Sequence, residues 1–241
     1  MKKLKSIKRS KKIRRKQNPH NYYEPNGKCE EFIKLVGSNE IFVLIYSAAN
    51  GVGKTALGAN LVANICYETK NPYFMGLPLF ENFPFVKRGR VISDPTTVNQ
   101  ILVPELHKWF PQGRYTTDKS GKLYEYNWRT DTGFLFDVMT YEQQVKEFEA
   151  ATLGFAWFDE PPPMAIYKAT IARMRAGGII FITETPLSGS AWLYDNLVAS
   201  PDRVDVRPIL EKYKLKEWNK KLHQLWIQKL LKMNIEERLG S

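Results

Sequence analysis

Ile41-Phe42-Val43-Leu44-Ile45-Tyr46-Ser47-Ala48-Ala49-Asn50-Gly51-Val52-Gly53-Lys54-Thr55 is the stretch that decides the fold. Its first six residues are a continuous apolar, β-branched run, the composition of a strand buried in a parallel sheet. Residues 48–55 match the phosphate-loop pattern Gly-x-x-x-x-Gly-Lys-[Ser/Thr], except that Ala48 stands at the first glycine. Residues 55–67 come next with apolar side chains at 57, 61, 62 and 65, one face of a helix. In such a loop Gly51 and Gly53 allow successive backbone N–H groups to turn inward on phosphates. The helix N-terminus adds partial positive charge. Lys54 is expected at the β- and γ-phosphates, and the Thr55 hydroxyl on Mg²⁺. The expected nucleotide-binding residues are Ala48, Ala49, Asn50, Gly51, Val52, Gly53, Lys54, Thr55 and Ala56, with ATP and Mg²⁺ as the ligands. Ala48 matters only if its position needs a positive φ. The bland alternative, a chance glycine-rich turn, does not account for the strand before it and the helix after it.

Further along, Phe155-Ala156-Trp157-Phe158-Asp159-Glu160 is an apolar strand ending in two acids, the Walker B pattern. Asp159 is the expected second metal ligand, and Glu160 the general base that polarises the attacking water. Acids often end strands merely as solvated loop starts; the phosphate loop upstream is what gives this pair its meaning. Pro161-Pro162-Pro163 stops the strand and stiffens the loop after it. Ile182-Thr183-Glu184-Thr185-Pro186-Leu187-Ser188-Gly189 continues a fourth apolar strand into two hydroxyl residues separated by one acid. One of them is expected to face the γ-phosphate and the other the DNA side, unless both are ordinary strand residues before a proline turn.

Between these motifs, residues 22–34 read as a turn into a short helix, and 68–89 as a long loop. Residues 90–94 read as a second strand, 98–110 as a second helix, and 121–139 as a hairpin turning at Asp131-Thr132-Gly133. Residues 141–148 read as helical, 165–174 as a helix and 179–182 as the fourth core strand. Strands alternating with helices imply βαβ units and a mainly parallel sheet flanked by helices. The fold class is thus α/β, a P-loop NTPase. Leu215, Trp218, Leu222, Leu225 and Trp226 share a helical stripe near the end, an amphipathic helix.

The net charge of +11 sits in one place. Ten of the 36 Lys and Arg fall within residues 1–16, which hold no acid, so the remainder is 26 basic against 25 acidic residues. Such a tail either contacts phosphate backbones or is merely solvated and disordered. Cys29 and Cys66 read as free thiols. No run approaches the roughly eighteen apolar residues of a membrane span, and the basic N-terminus lacks the apolar stretch of a secretory signal.

Ala-Asn-Gly-Val-Gly-Lys-Thr, Trp-Phe-Asp-Glu-Pro-Pro and Thr-Glu-Thr-Pro-Leu-Ser-Gly, in this order and spacing, resemble the ATPase domain of bacteriophage terminase large subunits. Val103-Pro104-Glu105-Leu106 and Thr140-Tyr141-Glu142-Gln143 resemble further segments of that family. The resemblance implies an additional-strand (ASCE) P-loop core over residues 19–187, a basic tail over 1–18 and a helical lid and linker over 188–241, with Trp192 in the lid. It implies Thr183, Glu184 and Thr185 as the segment coupling hydrolysis to movement. The implied function is to drive double-stranded viral DNA into a procapsid, in the cytoplasm of the infected host. The implied partners are DNA, further copies of the chain in a ring, the portal and the small terminase subunit, with no membrane.

This chain departs from the family in three ways. Cys29 stands where a glutamine of an adenine-recognition stretch is expected, which leaves Tyr22 or Tyr23 to stack on the base. The phosphate loop has no arginine, so charge on the γ-phosphate calls for one from elsewhere. Arg129, Arg173 and Arg175 are the candidates for action in a neighbouring subunit, and Arg203 is the example of one folding in from the lid. Finally, family members continue into a nuclease domain. None is expected here, because the late carboxylates Asp195, Asp202, Asp205, Glu211 and Glu217 lack the strand context of a two-metal site.

Two other readings carry weight. A helicase-like or DNA-repair P-loop ATPase would show further helicase motifs. A subunit that binds ATP only to assemble a ring, without turnover, would not need Glu160. A P-loop kinase leaves the Thr-Glu-Thr-Pro segment without a role.

Overall fold

A computed structural model describes residues 15, 17–83, 86–119, 121, 123–185 and 191–193. Of the expected tail over 1–18, residues 1–14 and 16 lie outside the described residues, as do all of the expected lid over 188–241 except 191–193, and with it the amphipathic helix at 215–226.

A helix, α1 (Gly27–Gly37), precedes the first strand, β1 (Val43–Ser47). The phosphate loop leads from β1 into α2 (Lys54–Cys66). The stretch expected as a long loop holds one helical turn, Pro78–Glu81, before β2 (Arg88–Ser93). Next comes a helical stretch that starts at Pro95, passes through a π-turn at Val98–Leu102 and ends in α3 (Val103–Trp109). Strands β3 (Tyr115–Asp118), β4 (Asn127–Thr130) and β5 (Leu135–Thr140) come after it. The chain then runs through β6 (Phe155–Asp159), α4 (Met164–Ile171) and β7 (Ile179–Glu184).

One seven-stranded sheet has the order β1-β7-β6-β2-β5-β4-β3. From β1 to β5 the strands are parallel; β4 and β3 add antiparallel at the far edge. Strand β7 lies between the phosphate-loop strand β1 and the acidic strand β6, which is the inserted strand that the ASCE reading requires. All five residues of β6 are buried, as a central strand of a parallel sheet must be. One core gathers α1, α2 and α3 on one face of the sheet, around Leu57, Leu61, Trp157 and Phe181. A second gathers α4 on the other face, around Phe158, Tyr167, Ile180 and Ile182.

Two expectations from the sequence need correction. Residues 141–148 are not a regular helix: Tyr141–Gln144 form a turn, and only Val145–Glu149 is helical, as a 3₁₀ segment. Gln143 closes the turn by accepting the Thr140 N–H at 2.9 Å, so the chain breaks before a helix can start. In addition, β3 is a strand where none is expected. It pairs with β4 from Tyr115 against Thr130 to Asp118 against Asn127. As a short edge strand alternating with exposed hydroxyl and acidic residues, it carries no apolar run to announce it.

Candidate active site

Parallel strands deliver their C-terminal ends to one edge of the sheet, and there the three motifs meet. Ala48 N–H donates to Glu184 O at 3.0 Å, which ties the start of the phosphate loop to the end of β7. Gly51 and Gly53 take φ of 80° and 89°, the left-handed region open to glycine. Ala48 is not among the residues with positive φ, so the missing first glycine costs the loop nothing. Lys54 is buried, and its ammonium donates to Ala48 O at 3.1 Å and Ala49 O at 3.0 Å, with Asn50 Oδ1 at 3.4 Å. The lysine thus lies along the inside of its own loop.

Asp159 joins the other two motifs. Its Oδ2 accepts from the Thr55 hydroxyl at 3.0 Å and its Oδ1 from the Thr183 hydroxyl at 2.7 Å. Thr183 in turn accepts from Trp157 Nε1 at 2.8 Å, and its hydroxyl lies far closer to Asp159 Oδ1 than to its other acceptor, Phe158 O at 3.4 Å. The indole of Trp157 lies directly under α2 at Gly58, where a Cβ would come within 2.1 Å of two ring carbons. Burial pushes the Asp159 carboxyl up to about 6; the two threonine hydroxyls and the nearby Lys54 charge oppose that, and Glu160 adds to it. A hydroxyl and a buried carboxylate brought together as hard oxygen donors fit a small divalent cation such as Mg²⁺.

Glu160 stands one residue beyond β6 at φ 74°. Its N–H donates to Thr183 O at 2.7 Å. Oε2 accepts the Thr185 N–H at 2.9 Å. The Thr185 hydroxyl lies 2.8 Å from Glu160 Oε1 and 2.9 Å from Asn50 Oδ1, and its one proton can go to either. Both hydroxyl residues, Thr183 and Thr185, therefore bond to the acidic pair, Asp159 and Glu160. Residues two apart on a strand share a face; Glu184, between them, contributes its backbone carbonyl to the loop.

Other expected residues lie elsewhere. Tyr23 is taken up by the core, edge-on to Trp109 at 5.3 Å between ring centres, and so is not open to a base. Tyr22 is 40% exposed, with Arg15 over its ring at 5.4 Å. Cys29 is buried against the Tyr46 hydroxyl at 3.4 Å. Trp192 donates from Nε1 to Pro162 O at 2.9 Å and packs on Tyr167, which anchors the start of the expected lid beside the proline loop. Arg129 pairs with Leu135 at the start of β5, and β4 lies five strand spacings from β1, roughly 24 Å across the sheet. Arg173 and Arg175 precede β7, and Arg173 donates to Glu149 O at 2.7 Å. All three thus lie at the opposite edge of the sheet from the phosphate loop and do not reach the site of their own subunit. Arg203 and the late carboxylates lie outside the described residues.

Three residues of the site carry no recognisable sequence signal for their role. Asn26 caps α1 by accepting the Cys29 N–H at 2.9 Å, and its amide donates to Val52 O at 3.3 Å, pinning the loop from outside. An asparagine before a helix signals the cap but not the loop contact. The hydroxyls of Ser93 and Tyr141 hold the carbonyls of the acidic pair; family resemblance singles out the stretch holding Tyr141 but gives no sign of this bond, and nothing in the sequence marks Ser93. Among the described residues no helix is long and apolar enough to cross a membrane.

No protein-family model matches the chain, and neither does any curated protein. Solved structures do match. The HK97 bacteriophage large terminase is 16% identical with a TM-score of 0.53, over 75% of this chain and 38% of its own. The large terminase of a thermophilic bacteriophage, solved in complex with ADP, is 13% identical with a TM-score of 0.51, over 74% of this chain and 44% of its own. The chain therefore spans less than half the length of either protein. At these identities the likeness is one of fold: this chain has the α/β fold of phage large terminases, as its three motifs imply.

Proposed function

We propose that this chain is an ATP-hydrolysing motor domain that moves double-stranded viral DNA into a procapsid. The observation that carries the reading is the joining of the phosphate loop, the acidic pair and the Thr183–Thr185 segment by side-chain hydrogen bonds at one sheet edge. A lone phosphate loop needs no such connections; a machine that couples hydrolysis to movement does. The complex of the similar thermophilic-phage terminase with ADP supports a nucleotide as the ligand.

In this reading Lys54 leaves its loop carbonyls for the β- and γ-phosphates, while the N–H groups of residues 51–54 and the α2 N-terminus bind their charge. Thr55 and Asp159 hold Mg²⁺, which neutralises charge on the phosphates when bound. Glu160 orients water and takes its proton. Thr185, bonded to both Glu160 and Asn50, senses whether the loop and the base are engaged, and β7 passes that state to the lid. Residues 1–18 act as a basic tail, 19–187 as the motor core and 188–241 as lid and linker. The chain works as a ring with DNA, a portal and a small terminase subunit, in the host cytoplasm. Arg129, Arg173 or Arg175 serves the neighbour's nucleotide.

Phosphate release with and without linear duplex DNA, across protein concentration, tests the reading. Release that rises with DNA and with concentration supports it. Tight ATP binding without release favours a ring-assembly subunit, and release indifferent to duplex DNA removes the translocase role.

A further inference from the structure

Thr140-Tyr141-Glu142-Gln143 has no part in the chemistry above, yet it folds up against the acidic pair. The ladder between β2 and β6 runs as far as Ile92 opposite Phe158. Beyond it two hydroxyls take over from the backbone. Ser93 Oγ donates to Asp159 O and Tyr141 Oη to Glu160 O, each at 2.6 Å. Tyr141 is itself fixed, because its N–H donates to Ser93 O at 3.0 Å and Gln143 closes the turn around it.

The residue on which this phenol acts is unusual. Glu160 is one of three non-glycine residues with positive φ among those described, beside Asn39 and Ala151. A side chain with a Cβ disfavours that region and keeps it only where its surroundings over-determine it. Here the backbone is held on both sides, by Thr183 O on the Glu160 N–H and by Tyr141 on the Glu160 carbonyl. Thus fixed, the Glu160 side chain leaves toward Thr185 and Asn50.

We propose that Tyr141 is a positioning residue for Glu160: its hydroxyl holds the left-handed backbone of that residue and so aims the carboxylate at the phosphate-loop side of the site. The inference rests on the proposed role of Glu160 as general base. Tyr141 acts only through Glu160 and touches no substrate.

The test compares wild type with Tyr141→Phe, Glu160→Gln, the double variant and Tyr167→Phe, by kcat, KM and Mg-ATP affinity. Tyr141→Phe keeps the ring and removes the hydroxyl. It should lower kcat about 10- to 100-fold, the order expected of a misplaced reacting group, with Mg-ATP affinity unchanged. On a Glu160→Gln background it should cost nothing more, because the group it positions is already gone. Tyr167→Phe removes a buried hydroxyl that has no partner among the described residues and should leave kcat as it is. Wild-type kcat in Tyr141→Phe, or an equal further loss in the double variant, overturns the proposal. Should Tyr141→Phe fail to fold, 3-fluorotyrosine at position 141 carries the same test: a changed kcat at unchanged affinity supports the role, and an unchanged kcat overturns it. A wild type that binds Mg-ATP but releases no phosphate overturns the functional reading first, and this inference with it.

Discussion

Thr55 and Asp159 share a hydrogen bond of 3.0 Å across 104 residues of sequence. Thr55 opens the helix after the phosphate loop and Asp159 closes a central strand, so the bond joins two parts of the site that the chain brings together only by folding. The opposite oxygen of the same carboxylate accepts from Thr183. Any movement of β7 at Thr183 is therefore felt at Thr55 through one side chain.

Lys54→Ala should abolish thermal stabilisation by Mg-ATP, because the loop loses the cation that lies along its inside. Mg-ATP at 100 times its dissociation constant stabilises the native state by about 2.7 kcal/mol. Thermal shift with and without Mg-ATP measures this, and a full shift in the variant would show that the loop is not a phosphate site.

Thr183→Val keeps the shape and strands two buried groups, Trp157 Nε1 and Asp159 Oδ1. Leaving a buried polar partner unsatisfied costs about 1–3 kcal/mol. Urea denaturation should show that loss in the variant; wild-type stability would mean that the chain of bonds through Thr183 contributes little.

Gly58→Ala places a methyl group 2.1 Å from two indole carbons of Trp157. Overpacking of this kind costs about 1–3 kcal/mol. Trp157→Phe makes room, so the double variant should be less destabilised than the two single changes together. Additive losses would show that the two residues are not in the contact described.

Arg129, Arg173 and Arg175 lie at the strand ends opposite the phosphate loop and do not reach their own site. If one of them serves a neighbour, phosphate release per subunit should rise on assembly, and the Arg variant should be rescued by mixing with Glu160→Gln subunits that keep the Arg. An arginine at the transferring phosphate is worth about 10³–10⁵ in rate. Equal specific activity in dilute and assembled protein would place the missing cation within the subunit.

How much of the fold and site is legible in the sequence depends on how each feature is encoded. The core strands at Val43–Ser47, Phe155–Asp159 and Ile179–Glu184 announce themselves as apolar β-branched or aromatic runs, and the loop at 48–55 by its glycines and lysine. The hairpin of β4 and β5 is readable from its alternation and its turn. Tyr23 misleads because an aromatic before a phosphate loop looks the same whether it faces a base or Trp109. The segment after Thr140 misleads because Tyr141 is spent on a backbone carbonyl, not on a helix face. Hydroxyl-to-carbonyl bonds such as those of Ser93 and Tyr141 depend on where two distant strands end, which leaves no local pattern.

Glu160, clasped by Thr185 beside the phosphate loop, is the proposed general base. Glu160→Gln preserves the shape and removes the base. The most direct measurement is phosphate release at saturating Mg-ATP by wild type and Glu160→Gln, with Mg-ATP affinity determined in parallel. Equal affinity is expected, with release at least about 100-fold slower in the variant, the contribution of a positioned general base. Wild-type release from Glu160→Gln would contradict that role.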